Sequence, residues 1–381
     1  MRIGIDATPL PPRPVGAGNY IIQLIRALWR NPEGAEFIVF AQQQGVPLLE
    51  VTERPDFRLV RLPDRSPASR LVWEQTAFPR LARRYNLDLL HSLHYTMPLL
   101  YPGRTVVTFH DLTFFLFPHL HTLPKRYFFR FFTHASQRRA SALIADSEST
   151  RQDAIRLAGV LPAKIHTTLL GVTPEFHPLS DPARLQAVRQ KYHLPDRFLL
   201  FVGLLEPRKN MPALLQAFAN LVTRLPEVKL VIVGRLGWMY DPTLRLVQSL
   251  GLTEQVHFTG YVDQPDLPAV YNLAEAFIYP SIYEGFGLPV LEAMACGTPV
   301  ITTDVSSMPE IAGEAGVLVP PDDIPALAEA IERLCTSPDE RQRLAALGLA
   351  RAAAFTWERT AAQTLDVYRR VASGIPTSAT Q

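Results

Sequence analysis

The chain has 381 residues, 47% of them apolar and 19% charged, with a formal net charge of +2. That length fits two or three domains at roughly 150 residues each. The apolar share is too high for a disordered chain, and the charge is too small for a protein that wraps a polyanion. Cys296 and Cys335 are the only cysteines, which excludes a disulfide framework and Cys-rich zinc sites. The first run, MRIGIDATPL, carries Asp6 among its apolar residues and reads as a strand rather than a signal peptide. No run of about 18 apolar residues occurs, so no membrane span is expected and a soluble, cytoplasmic protein is.

Strand and helix signals then alternate. Apolar, β-branched runs at Arg2–Ala7, Glu36–Ala41, Phe57–Leu62, Leu87–Leu93, Thr105–Phe109, Ala142–Ala145 and Ile165–Leu170 predict strands. Helical patterns at Asn19–Arg30, Ser69–Tyr85, Pro124–Arg139 and Ser149–Ala158 separate several of them. Continuous apolar strands with helical crossovers signify a parallel sheet covered on both faces. After the aperiodic GVTPEFHPLS at residues 171–180 the pattern restarts. Strands are predicted at Phe198–Val202, Lys229–Val233, Val256–Thr259, Ala276–Tyr279, Pro299–Thr302 and Gly316–Val319. Helices are predicted at Met211–Leu225, Asp241–Leu250, Leu288–Cys296, Ile324–Thr336 and Pro338–Ala354, and a last one over Thr356–Ala372.

Two β/α series predict an α/β protein of two doubly wound, Rossmann-like parallel-sheet domains. The expected division is 1–176, 177–355 and a final helix and tail at 356–381. Open parallel sheets bind ligands at the carboxyl ends of their strands, so a cleft between two facing sheets is the expected site. Charge also divides the chain, net +7 over residues 1–176 and net −5 over the rest, which suggests different partners for the two halves. The 34 prolines are scattered and read as loop punctuation.

The densest motif is YPSIYEGFGLPVLEAMACGTPVITTD at residues 279–304. A strand leads into Glu284-Gly285-Phe286-Gly287 and then a helix that carries Glu292. Glycines there let a ligand approach the backbone, and a helix N-terminus favours an anion. Glu284 would sit at the helix mouth and Glu292 one to two turns in. The same spacing equally fits an ordinary strand–loop–helix with a surface Glu at each end. The stretch resembles the E-x7-E motif of the retaining family 4 glycosyltransferases, which have the GT-B fold, and VVTFHDLTFFLFPHLHT together with ALIADSESTRQDAI looks most like their bacterial mannosyltransferases.

The resemblance extends over essentially the whole chain. It implies that Glu284 contacts the donor sugar and Glu292 the nucleotide ribose, with the amides of Phe286, Gly287 and Leu288 meeting the sugar and diphosphate. FVGLLEPRKN, Phe201–Asn210, resembles the donor-phosphate loop that follows Gly203, and Lys209 matches its lysine. Many members carry Arg directly after the glycine, where this chain has Leu204; Arg208 is the candidate replacement. Two cations here would neutralise a departing diphosphate, although an Arg-Lys pair before a helix can also be merely solvated. Val15-Gly16-Ala17-Gly18 resembles the family's glycine loop near the diphosphate, and a plain tight turn fits it as well. His110, in Thr108-Phe109-His110-Asp111, matches the histidine near the reacting sugar. Asp111 is the acceptor-side candidate, and both residues also fit a strand-end cap. Leu230–Gly234 followed by Arg235, and Gly260-Tyr261-Val262, resemble the lining of the family's nucleotide-base pocket, with Tyr261 and Val262 as donor-binding candidates, and either stretch equally fits a routine strand terminus. Phe355–Glu358 resembles the entry to the helix that crosses back to the first domain.

The reaction implied is retaining transfer of a sugar from a nucleotide sugar to a hydroxyl of a saccharide or lipid-linked acceptor in surface polysaccharide synthesis. No enzymic nucleophile is expected. The sequence has no Asp-x-Asp, and together with the family resemblance this implies that Lys209 and backbone amides take the place of a metal, so no metal and no other cofactor is expected. GDP-mannose is the expected donor, with UDP-sugars as alternatives. A GT-B epimerase and a non-catalytic nucleotide-sugar binder are the rival classes. No nucleic acid is expected as a partner. In KRYFFRFFTHASQRRAS, Phe128, Phe131, Phe132 and Ala135 follow helical spacing among basic residues. A crossover helix packing this stripe on its sheet is the preferred reading, and peripheral contact of the 125–141 helix with the inner face of the cytoplasmic membrane is the other.

Overall fold

A computed structural model of the chain describes residues 1–234 and 240–374. Arg235 and the tail after Gly374 lie outside the described residues. The chain divides into two compact units, Met1–Gly171 with Thr356–Gln381, and Val172–Phe355.

In the first unit the described residues form a seven-stranded parallel sheet. Its strands are β1 (Arg2–Asp6), β2 (Glu36–Gln42), β3 (Phe57–Leu62), β4 (Leu89–Ser92), β5 (Arg104–Phe109), β6 (Ala142–Ala145) and β7 (Ile165–Thr167). They lie in the order β3-β2-β1-β4-β5-β6-β7. In register, Ile5 of β1 stands between Val39 and His91. The second unit has a six-stranded parallel sheet of β8 (Phe198–Val202), β9 (Lys229–Val233), β10 (Val256–Gly260), β11 (Ala276–Tyr279), β12 (Val300–Thr303) and β13 (Gly316–Val319). Its order is β10-β9-β8-β11-β12-β13. Both orders reverse direction beside the first strand of the unit, between β1 and β4 and between β8 and β11. Such a switch point leaves a crevice at the carboxyl ends of the strands.

The interior strands are buried on both faces, whereas the edge strands β3, β10 and β13 are partly exposed. Phe37, Phe109, Phe198, Phe201 and Phe277 are fully covered. The prolines have a job within this plan: Pro67, Pro124, Pro182, Pro289, Pro325 and Pro338 each sit in the first turn of a helix. There the missing N–H is no loss and the fixed φ suits the helix. Proline also corrects one expectation. Ser69–Tyr85 is not one helix but two, Pro67–Thr76 and Phe78–Arg83, because Pro79 cannot donate to the preceding turn. Met211–Leu225 ends early, at Ala219. The helix Pro182–Lys191 has no apolar period to betray it, since only Val188 is buried.

The last helix, Trp357–Ser373, belongs to the first unit. Trp357 approaches Tyr20, and the Tyr368 hydroxyl lies 2.6 Å from Nδ1 of buried His91. Nε2 of His91 in turn lies 2.8 Å from Oγ1 of Thr108, which is 3.0 Å from the Tyr20 hydroxyl. Thr360 Oγ1 donates to the Leu169 carbonyl at 2.7 Å.

The helix Leu123–Arg139 faces two ways. Phe132, Thr133 and Ser136 are buried, and Phe129 stacks on Phe114 at 4.2 Å. Leu123, Tyr127 and Phe131 are exposed. The expected stripe is therefore split, with Phe132 inward and Phe131 outward.

Candidate active site

The loop after β8 and the loop after β11 flank the switch point of the second sheet, and the Phe201–Asn210 and E-x7-E motifs fall on these two loops. Pro207–Lys209 forms a single 3-10 turn. Ile282 N–H and Ser281 Oγ both donate to the Arg208 carbonyl, at 2.9 Å each, which clamps the two loops together. Lys209 is buried. Its Nζ donates to Glu284 Oε1 at 2.6 Å and to the Tyr279 hydroxyl, and it lies 4.6 Å from the centre of the Tyr279 ring. Arg208 pairs with the other oxygen of Glu284, with Glu206 at 2.5 Å, and donates to the Tyr283 carbonyl at 3.0 Å. Ser281 Oγ completes the shell of Glu284 at 2.5 Å.

Burial works against the charge on Glu284, but Arg208 and Lys209 outweigh it and hold the carboxyl down at about 2. Burial pulls the Lys209 ammonium down despite Glu284. A buried ammonium of this kind gains from any further anion brought to it. Leu204 is exposed and supplies no charge.

Gly287 caps the helix Leu288–Ala295 with φ 110°, and a Cβ there would stand 2.3 Å from Cε of Met308. This is the close approach that requires glycine. Phe286 is buried and its carbonyl accepts from Ser307 Oγ at 2.6 Å. Glu292 lies in that helix, and its Oε2 accepts from the Tyr271 hydroxyl at 3.0 Å. Burial pushes its carboxyl up to about 7, with Tyr271 opposing. Tyr261, at the end of β10, is exposed and Val262 is buried. Gly203 follows β8, and the tightest backbone approach nearby is at Gly234, where a Cβ would stand 1.9 Å from the Gly203 carbonyl oxygen.

In the first unit, Gly16 caps the helix Ala17–Arg30 at φ 51°, and Gly18 packs against Pro14. His110 follows β5. Its Nδ1 lies 2.7 Å from Oδ2 of Asp146, at the end of β6, and its Nε2 lies 2.9 Å from the Leu93 carbonyl, at the end of β4. Two acceptors demand two N–H groups, which is the charged imidazolium. Burial opposes that charge, but Asp146 and the Leu93 carbonyl win and the pKa is raised. Oδ1 of Asp146 is buried without a hydrogen-bond partner. Asp111 accepts from its own loop, Thr113 N and Oγ1, at 3.0 and 2.8 Å.

The residues missed by sequence reasoning are Tyr271, Tyr279, Ser281, Glu206 and Asp146, together with a buried group at the switch point of the first sheet. There Arg70 donates to Glu74 at 2.5 Å and to Thr8 at 3.4 Å, and Thr8 donates to Asp6 at 2.7 Å. Burial raises both acids against the pull of Arg70. Among the described residues no three His, Cys, Asp or Glu side chains group as metal ligands. Among those residues, too, no helix is long and apolar enough to cross a membrane.

Comparison with known proteins places the chain. The family described as Glycosyltransferase Family 4 matches residues 14–176, and Glycosyl transferases group 1 matches residues 186–349. The chain is 33% identical to the O-antigen chain mannosyltransferase B of Escherichia coli, over 97% of this chain and 100% of that protein. It is also 33% identical to the serotype-specific mannosyltransferase WbdA of Escherichia coli, over 74% of this chain and 36% of that larger protein. Among solved structures, sucrose-phosphate synthase from Thermosynechococcus elongatus superposes with a TM-score of 0.79 at 25% identity, covering 98% of this chain and 99% of that one. WaaG, a glycosyltransferase involved in lipopolysaccharide biosynthesis, superposes at 0.73 with 19% identity, covering 96% of this chain and 99% of that one, and shares the fold. With two parallel sheets of this topology and with these relatives, the chain is a GT-B glycosyltransferase and belongs to glycosyltransferase family 4.

Proposed function

We propose that the enzyme transfers mannose from GDP-mannose to a hydroxyl of a growing surface polysaccharide, with retention at the anomeric carbon and without a metal ion. The observation that carries this reading is the pair Lys209 and Arg208, gathered across Glu284 at the switch point of the second sheet. A nucleoside diphosphate leaves well once its growing charge is met, and fixed cations meet it without reorganisation. Glu284 carries three hydrogen-bonded or ionic partners and is held at about 2, which makes it a poor nucleophile and suits it to orienting the sugar. The leaving phosphate then takes the proton of the acceptor hydroxyl as that oxygen attacks from the same face. The mannosyl donor is supported by the names of the two Escherichia coli relatives.

The test is a transfer assay with GDP-mannose, UDP-glucose and ADP-glucose, each with and without EDTA, and NMR of the product. GDP-mannose is expected to be consumed in EDTA with its anomeric configuration kept. Consumption of a UDP-sugar alone overturns the donor, activity restored only by magnesium or manganese overturns the metal-free step, and an inverted product overturns retention. A sugar nucleotide isomerised without acceptor would mean an epimerase.

Peripheral action at the cytoplasmic face of a membrane is part of the same reading. Leu123, Tyr127 and Phe131 are exposed at intervals of four along one helix, and no Asp or Glu occurs between Asp111 and Asp146. Lys125, Arg126, Arg138 and Arg139 border that stripe, which suits an anionic lipid surface. Flotation with phosphatidylglycerol vesicles, and not with phosphatidylcholine vesicles, is expected. Equal flotation of wild type and a Tyr127→Asp, Phe131→Asp variant would remove this helix as the contact.

A further inference from the structure

Glu206, Arg208, Lys209 and Glu284 carry charges that cancel. Arg208 is held on one side by Glu284 and on the other by Glu206, whose Oε1 lies 2.5 Å from Nη2. The two acids differ in how firmly they are fixed. Glu284 is buried, takes further bonds from Lys209 at 2.6 Å and Ser281 at 2.5 Å, and its backbone N–H donates to Ser306 Oγ at 3.0 Å. The Glu206 side chain is 24% exposed against 9% for Glu284. An anion that approaches Arg208 therefore meets one carboxylate that is locked in place and one that has room to leave.

We propose that Glu206 is a positioning residue that competes with the diphosphate of the donor and product for Arg208. When diphosphate binds, Glu206 yields the guanidinium to it. When the sugar has gone, Glu206 recaptures the guanidinium and weakens the hold on the spent nucleotide. The inference rests on the donor-phosphate reading above. It reverses the usual sign of a mutation in a binding loop: removing Glu206 tightens nucleotide binding. General damage to the loop does the opposite, so the sign itself separates a competing role from a structural one.

The test is calorimetric titration of GDP, UDP, ADP and GMP into wild type, Glu206→Gln, Glu206→Ala, Glu206→Asp and Lys209→Ala, with melting temperatures recorded for each. Glu206→Gln and Glu206→Ala are expected to bind the preferred diphosphate about two- to tenfold more tightly, the range for releasing a partly exposed ion pair in favour of a charged phosphate contact. Glu206→Asp is expected to return towards wild type, and GMP to change less than GDP. Adding Arg208→Ala to Glu206→Gln is expected to abolish the gain. Unchanged or weaker binding by both Glu206→Gln and Glu206→Ala at wild-type melting temperature overturns the inference, as does a gain that survives without Arg208. If Lys209→Ala leaves every nucleotide affinity intact, the donor-phosphate reading fails and this inference falls with it. If Lys209→Ala weakens binding and the Glu206 variants do not tighten it, the inference alone fails.

Discussion

At the carboxyl end of the second sheet, Lys209, Arg208, Glu206 and Glu284 gather beside the gap between β8 and β11. In the first sheet, His110 and Asp146 stand beyond the corresponding gap, just after β5 and β6, and the gap itself holds Asp6, Arg70 and Glu74. The first six strands of each sheet follow one order, and the electrostatics differ. The second unit sets cations against acids of unequal firmness, an arrangement that can exchange partners with an incoming anion. The first unit commits both nitrogens of His110 to protein acceptors, and Asp146 favours the charged ring against the cost of burial. The ring touches a sugar hydroxyl through nitrogen only if it gives up the Leu93 carbonyl or Asp146. One sheet end is built to trade contacts and the other to keep them.

The contrast can be broken most forcefully at Lys209. Lys209→Ala should lower kcat by about 10²–10³, the usual cost of one transition-state charge contact, with a smaller change in donor affinity. Steady-state kinetics on the true acceptor check this, and near-normal turnover would move the phosphate site elsewhere.

Next comes the fixed pair of the first unit. Because the pKa of His110 is raised, its contribution to stability is complete below the ordinary histidine value of about 6.5 and is lost as pH rises through the raised folded value. Asp146→Ala should cost about 3 kcal/mol at pH 6, as expected for removing one partner of a buried ion pair, and progressively less as pH rises through the raised folded value. Denaturant melts across that range decide it; a cost independent of pH would mean that the pair is not ionic.

Gly287→Ala is a smaller perturbation of the second unit. The left-handed φ and the approach to Met308 together should cost about 1–3 kcal/mol. Shortening Met308 to Ala should recover the steric part and not the backbone part, which thermal melts of the single and double variants resolve.

The gentlest probe is Glu292. Its carboxyl sits at about 7 in the unliganded protein, and a ribose hydroxyl donates better to the ionised form. Nucleotide affinity should therefore rise between pH 6 and pH 8, by no more than about tenfold. Glu292→Gln should flatten that rise. A wild-type affinity that falls with pH would contradict a ribose contact to this carboxylate.

Much of this was legible along the chain because the second unit writes its chemistry in contiguous words. Arg208-Lys209 and Glu284–Glu292 each lie on one loop or one loop and helix, so spacing alone places them at the end of a strand. Their partners are not written that way. Tyr279 and Tyr271 read as core aromatics, and nothing local tells that their hydroxyls meet Lys209, 70 residues away, and Glu292, 21 residues away. Asp146 reads as the residue after a strand, and only the β5–β6 pairing carries it to His110, 36 residues back. Arg70 and Glu74 look like an ordinary i, i+4 surface pair until the helix turns them under Thr8. The E-x7-E spacing was visible; the balance of charge around Arg208 was not, since nothing in FVGLLEPRKN tells that Glu206 turns onto Arg208 two residues on.

The seam that joins His91 to Tyr368 spans 277 residues of sequence, and this sets an order of assembly. On a ribosome, the strands of the first unit emerge before the second unit, yet the helix that covers His91 and Thr108 is made after it. The second unit, Val172–Phe355, is continuous and has every strand of its sheet before that helix appears. The unit that begins first is thus completed second, and until then its buried histidine lacks the tyrosine that satisfies it. A chain truncated after Phe355 and released should resist protease across the second unit while the first remains open to cleavage, and a chain that carries the final helix should be closed in both.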